Sequence, residues 1–201
     1  MTPDDLNEEY IAKAKFLHIT GITPALSPSC EETIYEAIRL AKKHGVTVVF
    51  DPNIRLKLWS PEEARVTLMN IAGKSDIILP GLEEGSILTG EIKPELIASQ
   101  LLNHGAKLVV VKLGAEGAYY ANQIETGLIP GFPVRQIIDP IGAGDAFAAG
   151  LLSGLLRGFS LPEAVKLANR VGSYALTVAG DVEGLPFWSQ VDPNCEQEVR
   201  R

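Results

Sequence analysis

Four short apolar runs recur along the chain with helical patterns between them, and that alternation limits the fold more than any other feature. Lys15–Thr20 (KFLHIT), Val46–Phe50 (VTVVF), Asp76–Leu79 (DIIL) and Lys107–Lys112 (KLVVVK) each read as interior strands. Between the first two, Glu31–His44 places Ile34, Ala37, Ile38 and Ala41 at one-face helical spacing and stops at Gly45. Ser60-Pro61 predicts the cap and first residue of a second helix, and Pro94–His104 predicts a third. Strands separated by helices pair in parallel, because the crossover returns the chain to run in the same direction. After Gly117 the spacing changes, and Ala118–Ala121 with Glu125–Ile129 predicts a hairpin at one edge of the sheet. Two helices close the chain, over Gly142–Arg157 and Leu161–Val178, the second capped by Ser160 before Pro162. The expected fold is an open α/β sheet, mostly parallel, with helices on both faces and ligands beyond the carboxyl ends of its strands.

A length of 201 residues, 46% of them hydrophobic, suits one core and one domain. The formal charge is −7, from 25 acidic and 18 basic residues spread without a basic stripe, which argues against nucleic acid and anionic lipid as partners. Cys30 and Cys195 show no metal or disulfide spacing, so a reducing cytoplasm fits. The start, Met1-Thr2-Pro3-Asp4-Asp5, is acidic where a secretion signal is basic and then apolar, and no apolar run reaches membrane-spanning length.

The stretch that carries chemistry is Asp139-Pro140-Ile141-Gly142-Ala143-Gly144-Asp145-Ala146-Phe147, between apolar Gln136–Ile138 and a helix rich in Ala, Gly and Leu. Gly142 and Gly144 let the backbone approach a ligand, and the N–H groups of the helix's first turn attract an anion. Asp145 would repel a bound phosphate, but a carboxylate there is useful if it takes a proton from a hydroxyl attacking a phosphoryl group. Two plainer readings stand beside this one. The GxG could be a dinucleotide fingerprint, although no acidic ribose ligand follows on a second strand; or the glycines make a structural turn with Asp145 as its helix cap. His44 and His104 each precede a glycine at a predicted helix end, where an imidazole meets the helix dipole favourably, and neither they nor His18 belong to a nucleophile arrangement.

DPIGAGDAFAAGLL resembles the C-terminal signature of the ribokinase-like (PfkB) carbohydrate kinases, and the Pro-Ile before GAGD is similar to the branch acting on 2-keto-3-deoxygluconate. Five further segments resemble that branch in order and spacing: His18–Pro28, Asp51–Trp59, Leu79–Gly90, Val109–Tyr120 and Val178–Pro186. The resemblance implies a ribokinase-like fold, with residues 1–201 as the C-terminal nucleotide-binding and catalytic portion, lacking the family's N-terminal βαβ unit and β-sheet lid. It implies ATP and Mg²⁺ as cofactors and a sugar acid phosphorylated at a hydroxyl. Asp145 is then the base, and Gly142, Ala143 and Gly144 form the anion hole.

For the remaining residues the resemblance implies roles that each have a plainer alternative. Arg55 follows a strand closely and could pair with a substrate carboxylate, or be an ordinary surface arginine. Asn53 and Ile54 are implied near the nucleotide. Lys112, Leu113, Gly114, Ala115, Glu116 and Gly117 resemble the family's ATP-binding turn, or simply connect a strand to a hairpin. Asp181 resembles an acid that binds a substrate hydroxyl, or is a solvated loop acid. Asn169 is implied near the adenine. Glu84 resembles the acidic end of a magnesium-associated NxxE motif whose Asn position is Gly81 here; alternatively Glu83 and Glu84 form a solvated charged turn. The rival functions are another PfkB kinase, acting on fructose, ribose or a nucleoside, and an inactive nucleotide-binding portion that pairs with itself or with a complementing N-terminal polypeptide.

Overall fold

The computed structural model describes residues 1–192. In chain order the elements are α1 (Glu8–Ala12), β1 (Phe16–Thr20), α2 (Ile22–Leu26), α3 (Pro28–Lys43), β2 (Thr47–Asp51), α4 (Pro61–Ala72), β3 (Ile77–Ile78), α5 (Leu82–Thr89), α6 (Pro94–Asn103), β4 (Leu108–Lys112), β5 (Ala118–Asn122), β6 (Thr126–Ile129), α7 (Ala143–Leu156), α8 (Leu161–Ala175) and α9 (Trp188–Val191). The six strands lie in one sheet in the order β1-β2-β3-β4-β5-β6. β1 to β4 pair in parallel, in register Phe16 to Thr47, Val49 to Ile77 and Ile77 to Leu108. β5 and β6 are joined by a tight turn in which the Asn122 carboxamide accepts from the N–H groups of Ile124 and Glu125, which leaves an antiparallel hairpin as the only pairing open to them. Among the described residues no helix is long and apolar enough to cross a membrane.

The chain divides into two compact units. The first comprises Met1–Lys112 with Tyr119–Thr126, the second Leu113–Ala118 with the residues from Gly127 onward. In the first unit, Val48, Val49 and Phe50 of β2 and Val109, Val110 and Val111 of β4 have no exposed surface, as expected of strands covered on both faces. Ile38 and Ala41 of α3, Leu68 and Ile71 of α4, and Ile97 and Leu101 of α6 are buried as well, each large side chain contributing about 1.5–3 kcal/mol by leaving water. The helix starts have chemical causes. Ser27 accepts from the Cys30 N–H ahead of Pro28, which places the start of α3 three residues earlier than the apolar spacing predicts. Ser60 and Glu63 form a reciprocal capping box on α4.

In the second unit α7 and α8 pack backbone to backbone. A Cβ on Gly150 would lie 2.8 Å from the Ala168 Cα, and one on Gly154 would lie 2.9 Å from the Ala164 Cα, so these glycines set the closeness of the crossing. Ala146, Leu167, Val171, Tyr174, Ala175 and Val191 form a core there. At the α8 start the Glu163 carboxylate accepts from both the N–H and the hydroxyl of Ser160. Apolar Gln136–Ile138 forms no strand: Ile137 and Ile138 are exposed, and the Ile138 N–H donates to the Leu176 carbonyl. Cys30 is buried with a free thiol, and Cys195 lies outside the described residues.

Candidate active site

The site residues fall in two sets, one in each unit. In the first unit they gather where strands end. β2 runs into Asp51, whose carboxylate is almost completely buried and takes the Lys112 ammonium from the end of β4 at 2.7 Å. Burial pushes the Asp51 carboxyl above its ordinary range and the charge of Glu84 adds to this, while Lys112 pulls it back. The other Asp51 oxygen accepts from the Asn53 N–H at 3.3 Å. Asn53 itself has φ of 39°, in the left-handed region.

Glu84 sits in the first turn of α5. One of its oxygens accepts from the Gly81 N–H at 2.7 Å and the other from the Ile54 N–H at 2.9 Å. It is half-buried and tied to the main chain, whereas Glu83 is exposed, so the solvated charged turn describes Glu83 alone. Arg55 is exposed, and its only described hydrogen bond is a long 3.5 Å contact to the Ile54 carbonyl. The guanidinium is therefore available to a ligand.

In the second unit the turn Leu113–Gly117 closes on itself: the Leu113 N–H donates to the Gly117 carbonyl at 2.8 Å, and Gly117 returns to Gly114 at 3.1 Å. Gly117 has φ of 102°, and a Cβ there would lie 2.1 Å from the Ile129 carbonyl oxygen, so only glycine fits. Asn169, on α8, donates from its carboxamide to the carbonyls of Ile129 and Pro130 at 3.0 and 3.2 Å. Its amide thus holds the segment against which the turn is packed.

The GAGD turn opens α7. Gly142 is its cap residue, with φ of 77°, and a Cβ there would lie 2.4 Å from the Asp181 carbonyl oxygen. The first i to i−4 bond runs from the Ala146 N–H to the Gly142 carbonyl; the Ala143 N–H makes a long 3.5 Å contact to the Pro140 carbonyl, and the N–H groups of Gly144 and Asp145 have no main-chain partner among the described residues. Asp139 fixes this turn, accepting from the Ile141 N–H at 3.0 Å and the Gly180 N–H at 3.3 Å. The same carboxylate places exposed Asp181 beside the turn. Asp145 is exposed, and its carboxylate makes no hydrogen bond to any described residue. Its service as a helix cap therefore has no bond to support it.

A sequence profile of the pfkB family of carbohydrate kinases matches residues 1–188. The chain belongs to that family. This PfkB chain is 40% identical over 187 residues to the 2-dehydro-3-deoxygluconokinase of Bacillus subtilis, an alignment that covers 92% of it and 58% of that relative. The crystal structure of a PfkB protein from Polaromonas sp. JS666 matches with a TM-score of 0.84 at 42% identity, over 95% of this chain and 61% of that one. An E. coli protein assigned as ribokinase II and solved with ATP and Mg²⁺ matches with a TM-score of 0.87 at 29% identity, over 94% and 61%. The PfkB chain thus spans about three fifths of the length of these relatives, and its α/β sheet is ribokinase-like.

Sequence reasoning singled out the residues at the ends of these turns and missed the ones that hold them. Asp51 and Asp139 escaped it, although Asp followed by Pro and then a residue whose N–H is free is a recognisable turn signature. The pairing of Asp51 with Lys112, 61 residues away, leaves no local signal.

Proposed function

We propose that this chain is the nucleotide-binding and catalytic portion of an ATP-dependent kinase that converts 2-keto-3-deoxygluconate to its 6-phosphate. The observation that carries the reading is the open start of α7: the N–H groups of Gly144 and Asp145, with no main-chain partner among the described residues, beside a carboxylate, Asp145, that no described residue binds. In this reading the 6-hydroxyl oxygen attacks the γ-phosphorus and its proton passes to an Asp145 oxygen. The bond from phosphorus to the bridging oxygen of ADP breaks, and the N–H groups of Ala143 and Gly144 stabilise the charge on the transferring group. The turn from Lys112 to Gly117 and the segment Asn53 to Arg55 bind the nucleotide, with Asn169 acting through the backing of that turn. Arg55 pairs with the substrate carboxylate through its paired N–H donors, and Asp181 accepts from a substrate hydroxyl.

Among the described residues no group of three or more His, Cys, Asp or Glu could hold a metal. Glu84 is the residue that would hold Mg²⁺, and the cation would supply charge neutralisation at the phosphates. A cytoplasmic setting belongs to the same proposal.

The experiment is ATP-dependent phosphorylation of 2-keto-3-deoxygluconate by the purified chain, beside fructose and ribose. Turnover confined to the sugar acid is expected, with Asp145→Asn lowering kcat by about 10²–10⁴-fold while nucleotide affinity is kept. Turnover of fructose or ribose in preference would favour the neutral-sugar rival. Because the chain spans 58% of its B. subtilis relative, nucleotide binding without any turnover would favour the second reading, a portion that acts with a complementing polypeptide or a second copy.

A further inference from the structure

Asn53 is the only residue other than glycine with a positive φ among the described residues. Asparagine visits this region more readily than most residues, yet the conformation persists only where the surroundings impose it. Here they impose it from three strand ends. From the end of β1, the Gly21 N–H donates to the Asp51 carbonyl at 3.0 Å, and Pro52 presses so closely that a Cβ on Gly21 would lie 2.0 Å from its carbonyl oxygen. From the end of β4, Lys112 holds the Asp51 carboxylate, which in turn accepts from the Asn53 N–H. From the corner between β3 and α5, Glu84 spans the N–H groups of Ile54 and Gly81.

This restraint stops abruptly. Asp51 and Pro52 are buried, Asn53 and Ile54 half-buried, and Arg55 exposed, while Leu56 and Leu58 beyond it are 53% and 44% exposed. The fixed main chain therefore ends at the residue with the uncommitted guanidinium.

We infer that Glu84 and the Asp51–Lys112 pair are positioning residues, which lock the Asn53–Ile54 main chain and so fix the point from which Arg55 meets the carboxylate of its substrate. The inference rests on the reading of Arg55 as the sugar-acid anchor. The acid of the NxxE-like segment thereby acts through the substrate-binding loop, whatever it does for the metal. A bidentate pair depends on the placement of both partners, so releasing the loop weakens it with Arg55 still present. Glu84→Gln preserves shape but leaves one acceptor oxygen for two N–H donors.

The test is a double-mutant cycle on the full chain, combining Glu84→Gln with Arg55→Ala. Its readouts are sugar-acid affinity by calorimetry and hydrogen exchange at the Ile54 amide. Glu84→Gln is expected to weaken 2-keto-3-deoxygluconate binding about ten-fold and speed Ile54 exchange; its effect on the sugar acid is expected to vanish when Arg55 is already Ala. Persistence of the ten-fold loss in the Arg55→Ala background would show a general structural role and overturn the inference. So would unchanged Ile54 exchange or unchanged sugar-acid affinity in Glu84→Gln, and either result leaves the substrate reading intact. If Arg55→Ala alone has no effect on sugar-acid binding, or the starting chain binds none, the substrate reading fails and takes this inference with it. Should Glu84→Gln not fold, Asn53→Gly loosens the same loop without straining it and is expected to give the same cycle.

Discussion

Replacing Lys112 by Met is the sharpest test of how the first unit is held together. The change keeps the length and apolar stem of the side chain and removes the one cation paired with Asp51. Asp51 is 2% exposed and the Lys112 side chain 19%, so solvent screens this pair far less than a surface pair. Removing one partner of such a pair costs about 3–5 kcal/mol, because the remaining charge stays buried without compensation. For a chain of this size that corresponds to a fall in Tm of roughly 6–20 °C.

The loss must also depend on pH, with a definite sign. The Asp51 carboxyl is already raised by burial, and Lys112 is what restrains it. Without Lys112 it rises further, so the folded state binds the proton more tightly than the unfolded state. Stability then falls as pH rises through the interval between the unfolded and folded values, and the penalty shrinks when the solution is acidified through the folded value. Urea denaturation from pH 5 to 8, followed by circular dichroism, measures it. We expect the largest deficit at pH 8, a smaller one at pH 5, and recovery of most of the loss in the Asp51→Asn/Lys112→Met double variant. A deficit equal at every pH, or a double variant as unstable as Lys112→Met alone, would refute the uncompensated charge as its cause.

Gly142→Ala forces a Cβ to within 2.4 Å of the Asp181 carbonyl oxygen at a φ of 77°. It is expected to destabilise the chain by more than about 1 kcal/mol and to abolish phosphoryl transfer, read by thermal melting and a coupled ADP assay. Ser60→Ala removes half of the α4 capping box, and should cost about 1 kcal/mol in urea denaturation with no change in kcat or KM. For Asp76, burial works to raise the carboxyl, but the Lys107 ammonium and the Val48 N–H outweigh it and hold the value below the ordinary 3.8. Its stabilising contribution is thus complete above that value and lost as pH falls through the folded one. Asp76→Asn should therefore lower the urea midpoint at pH 7 and leave it nearly unchanged in strong acid.

How far the fold could be read depended on the length and purity of each pattern. The runs VTVVF and KLVVVK could only be interior strands, and α3 and α6 carry clean helical spacing. β3 is only Ile77–Ile78, although main-chain bonds flank it, from the Asp76 N–H to the Val48 carbonyl and from the Leu79 N–H to the Phe50 carbonyl. α2 is five residues long with Pro24 inside it, too short for any periodicity to show. α5 hides its pattern differently: Gly85 sits in its middle because a Cβ there would strike Ile97 at 2.6 Å, and its first turn holds two glutamates that look like surface. The predicted end of α8 at Val178 overshot Ala175, since Thr177 turns its N–H and its hydroxyl back to the Tyr174 carbonyl. The motif pointed to the GAGD turn and the family resemblance to Arg55. It could not find what fixes them, because those bonds join residues far apart in the chain, such as Asp139 to Gly180 and Glu84 to Ile54.

The acidic residues near the two sets of site residues divide by what they bind, and this division supports the role given to Asp145 more strongly than its motif does. Asp51, Glu84 and Asp139 each use both carboxylate oxygens, on main-chain N–H groups or on Lys112. A carboxylate bound in that way has no oxygen left for a substrate hydroxyl unless it gives up a bond it already holds. Asp145 has no such bonds to any described residue, and it stands at the third position of a helix in which the N–H groups of Gly144 and Asp145 have no main-chain partner among the described residues. A capping acid in that place would fold back onto the Gly142 N–H, as Glu63 does onto Ser60 and Glu163 onto Ser160. The chain uses that cap at α4 and α8 and forgoes it at α7. What it keeps there is unpartnered N–H groups beside an uncommitted carboxylate, the pair of features that the proposed phosphoryl transfer would use.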